Sequence, residues 1–526
     1  MSQESGAFVR NATGLVRELG PFDAFNLVFS AVLIPVGISQ AMGFAPAAFQ
    51  GANIMVSFLI AAVLMFFFGH VYATLTQAMP RSGGDYVWVS RILSPGVGFV
   101  TNLSLTFVFL TWISFNFTTM LSYFLPAALT VWGASPSAGT ALSSPGSELL
   151  ISTVLTVLYA LLMLYGARRA AVFMRWMFGL VWLGMLLWFI GLLVTSSSAA
   201  SSAFTAQNGL TVARVLAIAH QNGFKASASM SWGMTLFAMI YAFQVFTGFQ
   251  WTGYFAGEVR NVRRTVRTSI YGALLVSAIL YIVGSALIYK SYGSGLYNAL
   301  VYLGYNDPSK LPSGVPFVLP ALAKFLSLPG FVKDYIGLAF LMAVLWWTPT
   351  GFLLGTRNMF SWAFDRLMPE SLADVSPQLH SPVKATVAVA VVVEVLNVLN
   401  IYGGLSADLV NVIAVMSVAF IVVALSGMLF PYRRRDVYDA APPEIRTTWL
   451  GLPAVTVSGA ISLLAWLFVL GIAFLTPYFG LQISATPMLE AFAVPILGII
   501  YYTIVSSQHR SRGLDLSKAF ATIPPE

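Results

Sequence analysis

Twelve apolar runs, each long enough to cross a lipid bilayer as a helix, follow one another through this chain with no soluble domain between them. A hydrocarbon core about 30 Å thick needs roughly 20 helical residues. Runs of that kind fall near 23–43, 51–78, 99–124, 148–166, 171–195 and 231–257, then near 268–289, 334–357, 384–402, 408–430, 453–476 and 487–506. Only 9% of the 526 residues are charged and 58% are apolar, against about 25% charged in soluble domains. The fold class expected is an all-α integral membrane protein with 12 transmembrane helices. It forms a single transmembrane domain: an N-terminal segment 1–22, a first five-helix block 23–195, a second 231–430, helices 11 and 12 within 453–506, and a tail 507–526.

Charge placement fixes the expected orientation. With the N-terminus taken as inside, twenty-one of the 27 lysines and arginines fall in alternate, inward-facing segments. The other six are Arg214, Lys225, Lys290, Lys310, Lys324 and Lys333. This bias is the positive-inside pattern. It places both termini in the cytoplasm, in a multi-pass protein of the plasma membrane, with the lipid bilayer as a standing partner. The net charge of +8 does not signal nucleic acid, because no basic stripe with interleaved aromatics lies on a polar domain. With no cysteine there is no disulfide-linked partner subunit, thiolate metal site or cysteine nucleophile. The four histidines (His70, His220, His380 and His509) are scattered. No cofactor and no metal are expected, and no convergent acid, histidine or ligand cluster supports a membrane-embedded enzyme.

Two runs carry interruptions at corresponding positions of the two blocks. The first reads FDAFNLVFSAVLIPVGISQAM: Pro35 removes a backbone donor in mid-span and Gly37 eases departure from helical angles. The sixth reads MTLFAMIYAFQVFTGFQWTGYFAGEV, with Gln244, Thr247, Gly248, Gln250 and Gly253 at its middle. In hydrocarbon, irregular backbone is tolerated only against protein or a watery cavity. Paired interruptions of this kind point to a central binding site. Freed N–H groups at a half-helix start suit a carboxylate, and freed carbonyls suit an ammonium, so an amino acid zwitterion fits. Between spans 7 and 8, residues 290–333 contain Pro308, Pro312, Pro316, Pro320 and Pro329, and short helices capping the outer mouth are expected there.

Three further segments carry a family resemblance. Pro80, Ser82, Gly83, Gly84 and Tyr86 follow span 2, where Tyr86, Trp88 and Ile92 read as an amphipathic stretch at the membrane interface. Gly248, Phe249, Gly257, Glu258, Arg260 and Asn261 mark span 6 and its exit; Arg357, Ala363, Asp365, Arg366 and Pro369 follow span 8. In this order and spacing the chain resembles the amino acid–polyamine–organocation (APC) transporter superfamily, and in particular its amino acid permeases. The resemblance implies two inverted five-helix repeats (1–5 and 6–10) plus two additional helices, with broken helices 1 and 6. It implies a substrate site at Pro35, Val36, Gly37 and Ile38 in span 1, and at Gln244, Phe246, Thr247, Gly248 and Gln250 in span 6. Trp346, beside Trp347 in mid-span 8, is a candidate aromatic to close over the substrate, with packing around the Pro349 kink as the equal alternative. Thr348 and Thr350 are candidate coupling-ion residues, after sodium-coupled relatives. Glu258, Arg91 and Asp365, with Arg260 and Arg366, form a candidate inner gate.

The chain departs from the family pattern in four places. Pro35 and Val36 replace the usual small residues; Gln250 stands where many members have an acid; Val262 replaces a proline; span 5 carries no lysine. Gln250 argues against a charge-paired cationic substrate, and the missing lysine leaves coupling to H+ or Na+ open. Glu394 is the one acid near the centre of a span; it reads as a helix contact, paired with Asn397 or protonated, with a proton carrier as the alternative, and His70 reads as hydrogen-bonded to neighbouring helices rather than as a titrating group. The function expected is secondary active transport of amino acids, neutral or apolar, by alternating access through ion symport or exchange, in a monomer or homodimer. A related amine or nucleobase as substrate, or a non-transporting nutrient receptor of the same fold, are the alternatives. No phosphate-binding Gly-x-x-x-x-Gly-Lys-Ser/Thr loop is present to use ATP.

Overall fold

The computed structural model describes residues 15, 17–134, 139, 141–225, 229–312, 314–379, 381–404, 412–475, 485–513 and 520. His380, the expected start of the tenth run at 408–411, and the N-terminal segment through 14 lie outside the described residues, as do residues 476–484 and most of the 507–526 tail.

The described residues are helical almost throughout. Span 1 is two helices, α1 (Pro21–Val32) and α2 (Ile34–Ala48); span 2 is α3 (Ile54–Ala78). A short α4 (Asp85–Ile92) leads to span 3, α5 (Pro95–Thr119), which continues through a π-helical turn into α6 (Leu125–Val131). Spans 4 and 5 are α7 (Pro145–Leu164) and α8 (Ala167–Val194). The helices α9 (Ser197–Asn208) and α10 (Val212–Gln221) precede span 6, which is α11 (Trp232–Phe246) and then a 3-10 segment, Trp251–Glu258. Span 7 is α12 (Val262–Tyr292), followed by α13 (Ser294–Asn306); span 8 is α14 (Gly330–Phe364). Beyond it lie α15 (Val383–Gly403), α16 (Val412–Arg433), α17 (Arg435–Ala440), a two-strand hairpin (β1 Thr448–Trp449, β2 Leu452–Pro453), α18 (Ala454–Leu475) and α19 (Ala485–Ser511).

Eleven helical segments among the described residues, from Pro21–Ala48 to Ala454–Leu475, have the length and composition to cross a membrane. Burial sorts them. The most apolar stretches of spans 1 and 8 are 83% and 78% buried, against 28% for span 4. Spans 1 and 8 therefore form the centre, and the outer helices turn residues such as Leu150, Trp176, Leu275 and Leu464 outward, as lipid contact requires.

Short helices do occupy the stretch between spans 7 and 8: α13 and the 3-10 turns Pro308–Lys310 and Leu319–Phe325. Tyr305 of α13 packs its ring 4.6 Å from Phe44 of α2 and bonds Tyr123. The segment Asp85–Ile92 differs from expectation. It is buried on every side rather than amphipathic, because it inserts beneath span 6: the Gly83 N–H donates to the Tyr254 carbonyl at 3.0 Å. Ser361 of span 8 donates to the Ser82 carbonyl from the other side.

Candidate substrate site

The two interruptions meet at the centre of the bundle. In span 1 the break falls at Leu33, which takes left-handed angles (φ 50°, ψ 58°), two residues ahead of the point at which Pro35 and Gly37 place it. Proline explains the shift. Its ring clashes with the carbonyl four residues back, but in the first turn of a helix its missing N–H costs nothing. The chain therefore breaks before Pro35 and uses it to open α2, leaving Gly37 helical. Pro35 also cannot donate to the Ala31 carbonyl, and of the first-turn amides of α2 only those of Ile34 and Val36 are left free.

In span 6 the helix ends at Phe246 and Gly248 turns the chain with φ +123°. A Cβ at Gly248 would lie 2.8 Å from the Ala31 Cβ and 3.1 Å from the Val32 nitrogen. The two breaks thus touch, and only glycine permits it. The Gln250 side chain turns back to accept from the Gly248 N–H at 3.1 Å, and the Thr247 hydroxyl caps the Phe243 carbonyl.

A cavity of about 500 Å³, counting the part open to solvent, adjoins this junction. Span 1 contributes Ala31, Val32, Leu33, Val36, Gly37 and Gln40; span 6 contributes Gln244, Val245 and Thr247. Trp112, Phe115 and Asn116 of span 3 and Trp347 of span 8 complete the wall. No charged residue is among them.

Of the residues expected at the site, Val36, Gly37, Gln244 and Thr247 line the cavity. Gly248 and Gln250 shape the break behind it. Pro35, Ile38 and Phe246 are buried in the flanking helix packing. Trp346 points elsewhere: its indole donates to Asn26 at 3.0 Å and its ring packs on Phe29 and Phe178, while its neighbour Trp347 faces the cavity. Thr350 reaches span 1, with its hydroxyl 3.0 Å from that of Ser30 and 3.2 Å from the Leu27 carbonyl. Thr348 instead bonds Val344 in its own helix. Glu394 is held by Thr153 and Asn397, and His70 by Tyr271.

The arginine-rich end beneath the cavity is closed by buried ion pairs. Glu258 is gripped by Arg357 through two bonds of 2.5 and 2.8 Å, and Asp365 by Arg81 at 3.1 Å and Arg91 at 3.3 Å. Burial alone would raise the Asp365 carboxyl, but the two guanidiniums outweigh it and hold it below the usual range. The expected gate members Glu258, Arg91 and Asp365 are therefore all engaged, though as two clusters. Arg260 bonds the Arg17 carbonyl and Arg366 pairs with Glu370. Arg81 and Arg357 are the partners that sequence reasoning missed. Leu19 and Val259 add a backbone bridge, through Leu19 N to Glu258 O and Arg260 N to Leu19 O, both 2.9 Å.

Asp85, in the same layer, accepts from Asn102 at 2.7 Å. Burial pushes its carboxyl up to about 6, against hydrogen bonds from Asn102 and Tyr254 that lower it. A raised acid binds its proton more tightly in the folded state, so its stability contribution improves as pH falls from about 6 toward 3.8. In thermal unfolding, wild type is expected to gain on Asp85→Asn between pH 7.5 and 4.5. Parallel pH profiles for the two proteins would contradict this.

A family model described as amino acid permease matches residues 19–505. The chain belongs to the amino acid permease family. Two relatives of this permease are both named branched-chain amino acid permease BcaP. That of Lactococcus lactis subsp. cremoris (strain MG1363) is 22% identical over 476 residues, covering 86% of this chain and 87% of the relative. That of Bacillus subtilis (strain 168) is 25% identical over 386 residues, covering 71% and 72%. This permease is a multi-pass membrane transporter of amino acids, not an enzyme.

Proposed function

We propose that this permease carries a neutral, apolar amino acid of the branched-chain kind across the plasma membrane by alternating access, driven by an ion gradient or by exchange. The reading rests on one observation: the cavity lies where two helix breaks touch and has no charged side chain among its lining residues, and backbone groups freed at such breaks suit both charges of a zwitterion. The carbonyls of Ala31, Val32 and Val245 face the ammonium. The Val36 amide, at the positive end of α2, takes the carboxylate. Trp112, Phe115, Val36 and Trp347 surround the side chain, where a lysine or glutamate would find no partner. The names of the two relatives support the same class.

In this reading the chain has twelve spans, with α19 the twelfth, and spans 1–5 and 6–10 are inverted repeats whose first members are both broken. The arginine-rich end and both termini are cytoplasmic, so the buried ion pairs close the inner side and must part for release. Thr350, Ser30 and the Leu27 carbonyl form the contact at which sodium would couple; a proton is the other candidate. Spans 1, 2, 6 and 7 rock against spans 3, 4, 8 and 9.

Uptake of labelled L-leucine into proteoliposomes, with and without imposed proton and sodium gradients, tests the reading. Uptake is expected, competed by isoleucine and valine and not by lysine or glutamate. Binding without uptake would mark a receptor, and a response to amines or nucleobases alone would overturn the substrate class.

A further inference from the structure

Tyr281 lies in the middle of span 7, fully buried. Its hydroxyl oxygen is 3.0 Å from the Val32 carbonyl and 3.2 Å from the Val245 carbonyl. In unbroken helices these carbonyls would accept from the amides of Val36 and Phe249. The breaks remove both donors, and one phenol stands between the two acceptors. The ring is fixed by a stack on Phe58 of span 2 (4.9 Å, 4° between planes) and an edge contact with Phe246 of span 6 (5.4 Å, 86°). Gly37 makes the room: a Cβ there would lie 2.1 Å from the phenolic oxygen. One side chain of span 7 therefore touches spans 1, 2 and 6 at the depth of the cavity, whose wall includes Val32, Gly37 and Val245.

We propose that Tyr281 is the positioning residue of the ammonium subsite, orienting the carbonyls of Val32 and Val245 toward the substrate. The inference rests on the transporter reading above. A phenol has one hydrogen to donate, so two carbonyls that share it keep lone pairs free for a charged donor. Without it both carbonyls are free to turn, and the subsite loses its shape although no atom that touches substrate has been removed.

The test compares wild type, Tyr281→Phe, Gly37→Ala and the double variant in proteoliposomes. L-leucine is the transported probe, and 4-methylpentanoate, which lacks the amine, is the inhibitor. Tyr281→Phe is expected to raise KM for leucine about tenfold with kcat within about twofold, and to leave inhibition by 4-methylpentanoate unchanged. Gly37→Ala, which crowds the phenol, is expected to raise KM in the same way, with the double variant no weaker than Gly37→Ala alone. Gly37→Ala against wild type, for leucine and for 4-methylpentanoate, remains the test if Tyr281→Phe fails to fold. An unchanged KM, equal losses for leucine and 4-methylpentanoate, or additive losses in the double variant would overturn the proposal while wild-type uptake persists. A wild type that neither binds nor moves any amino acid would instead remove the reading on which it rests.

Discussion

Gly248→Val is expected to abolish uptake, lowering it at least about 100-fold, in protein that still reaches the membrane. Two costs coincide at this residue. Its φ of +123° is a conformation that costs a β-branched residue on the order of 1–3 kcal/mol. Its missing Cβ is also the space occupied by Ala31, at 2.8 Å. A side chain there must either straighten span 6 or push the two breaks apart, and each removes the wall that Val245 and Thr247 give the cavity. Gly272→Ala, on the helical stretch of span 7 where a Cβ would meet nothing closer than Phe25 at 3.6 Å, is the matched control and should transport normally. Uptake by Gly248→Val comparable to that of the control would show that the junction is not needed.

The buried pair Glu258–Arg357 carries the second large effect. Both side chains are almost wholly shielded, and removing one partner leaves the other charge unpaired. Such losses cost about 3–5 kcal/mol. Arg357→Ala and Glu258→Gln are each expected to destabilise strongly in thermal unfolding and to slow transport more than they weaken binding. The double variant Glu258→Gln/Arg357→Met should be less damaged than the sum of the singles, with a coupling of about 2–3 kcal/mol. Additive singles would mean that the pair does not act as a unit.

The membrane architecture and the existence of both breaks are legible in the sequence because each has a local cause: apolar length for the spans, and Pro35 and Gly248 for the interruptions. The register of the first break is less so, since a proline can kink the helix it sits in or open the helix that follows it. The walls of the cavity are hardly legible at all. Trp112 and Phe115 sit in a largely apolar helix whose polar residues, Thr111, Ser114 and Asn116 near them, are spread around the helix and single out no one inward face. Trp346 and Trp347 are adjacent, so they point about 100° apart on the helix; only packing against Asn26 decides which of them faces the cavity. Arg357 and Glu258 are far apart in sequence, and Tyr281 reads locally as one more aromatic in an apolar run. Its role appears only when the two breaks are brought together around it.

An experimental structure of the purified permease with L-leucine bound puts the account to its most direct test. The expected density lies against Ala31, Val32, Val36 and Val245, with the side chain toward Trp112 and Trp347, while Leu33 and Gly248 remain unwound. Leucine bound elsewhere, or both spans running as continuous helices through those two residues, would contradict it.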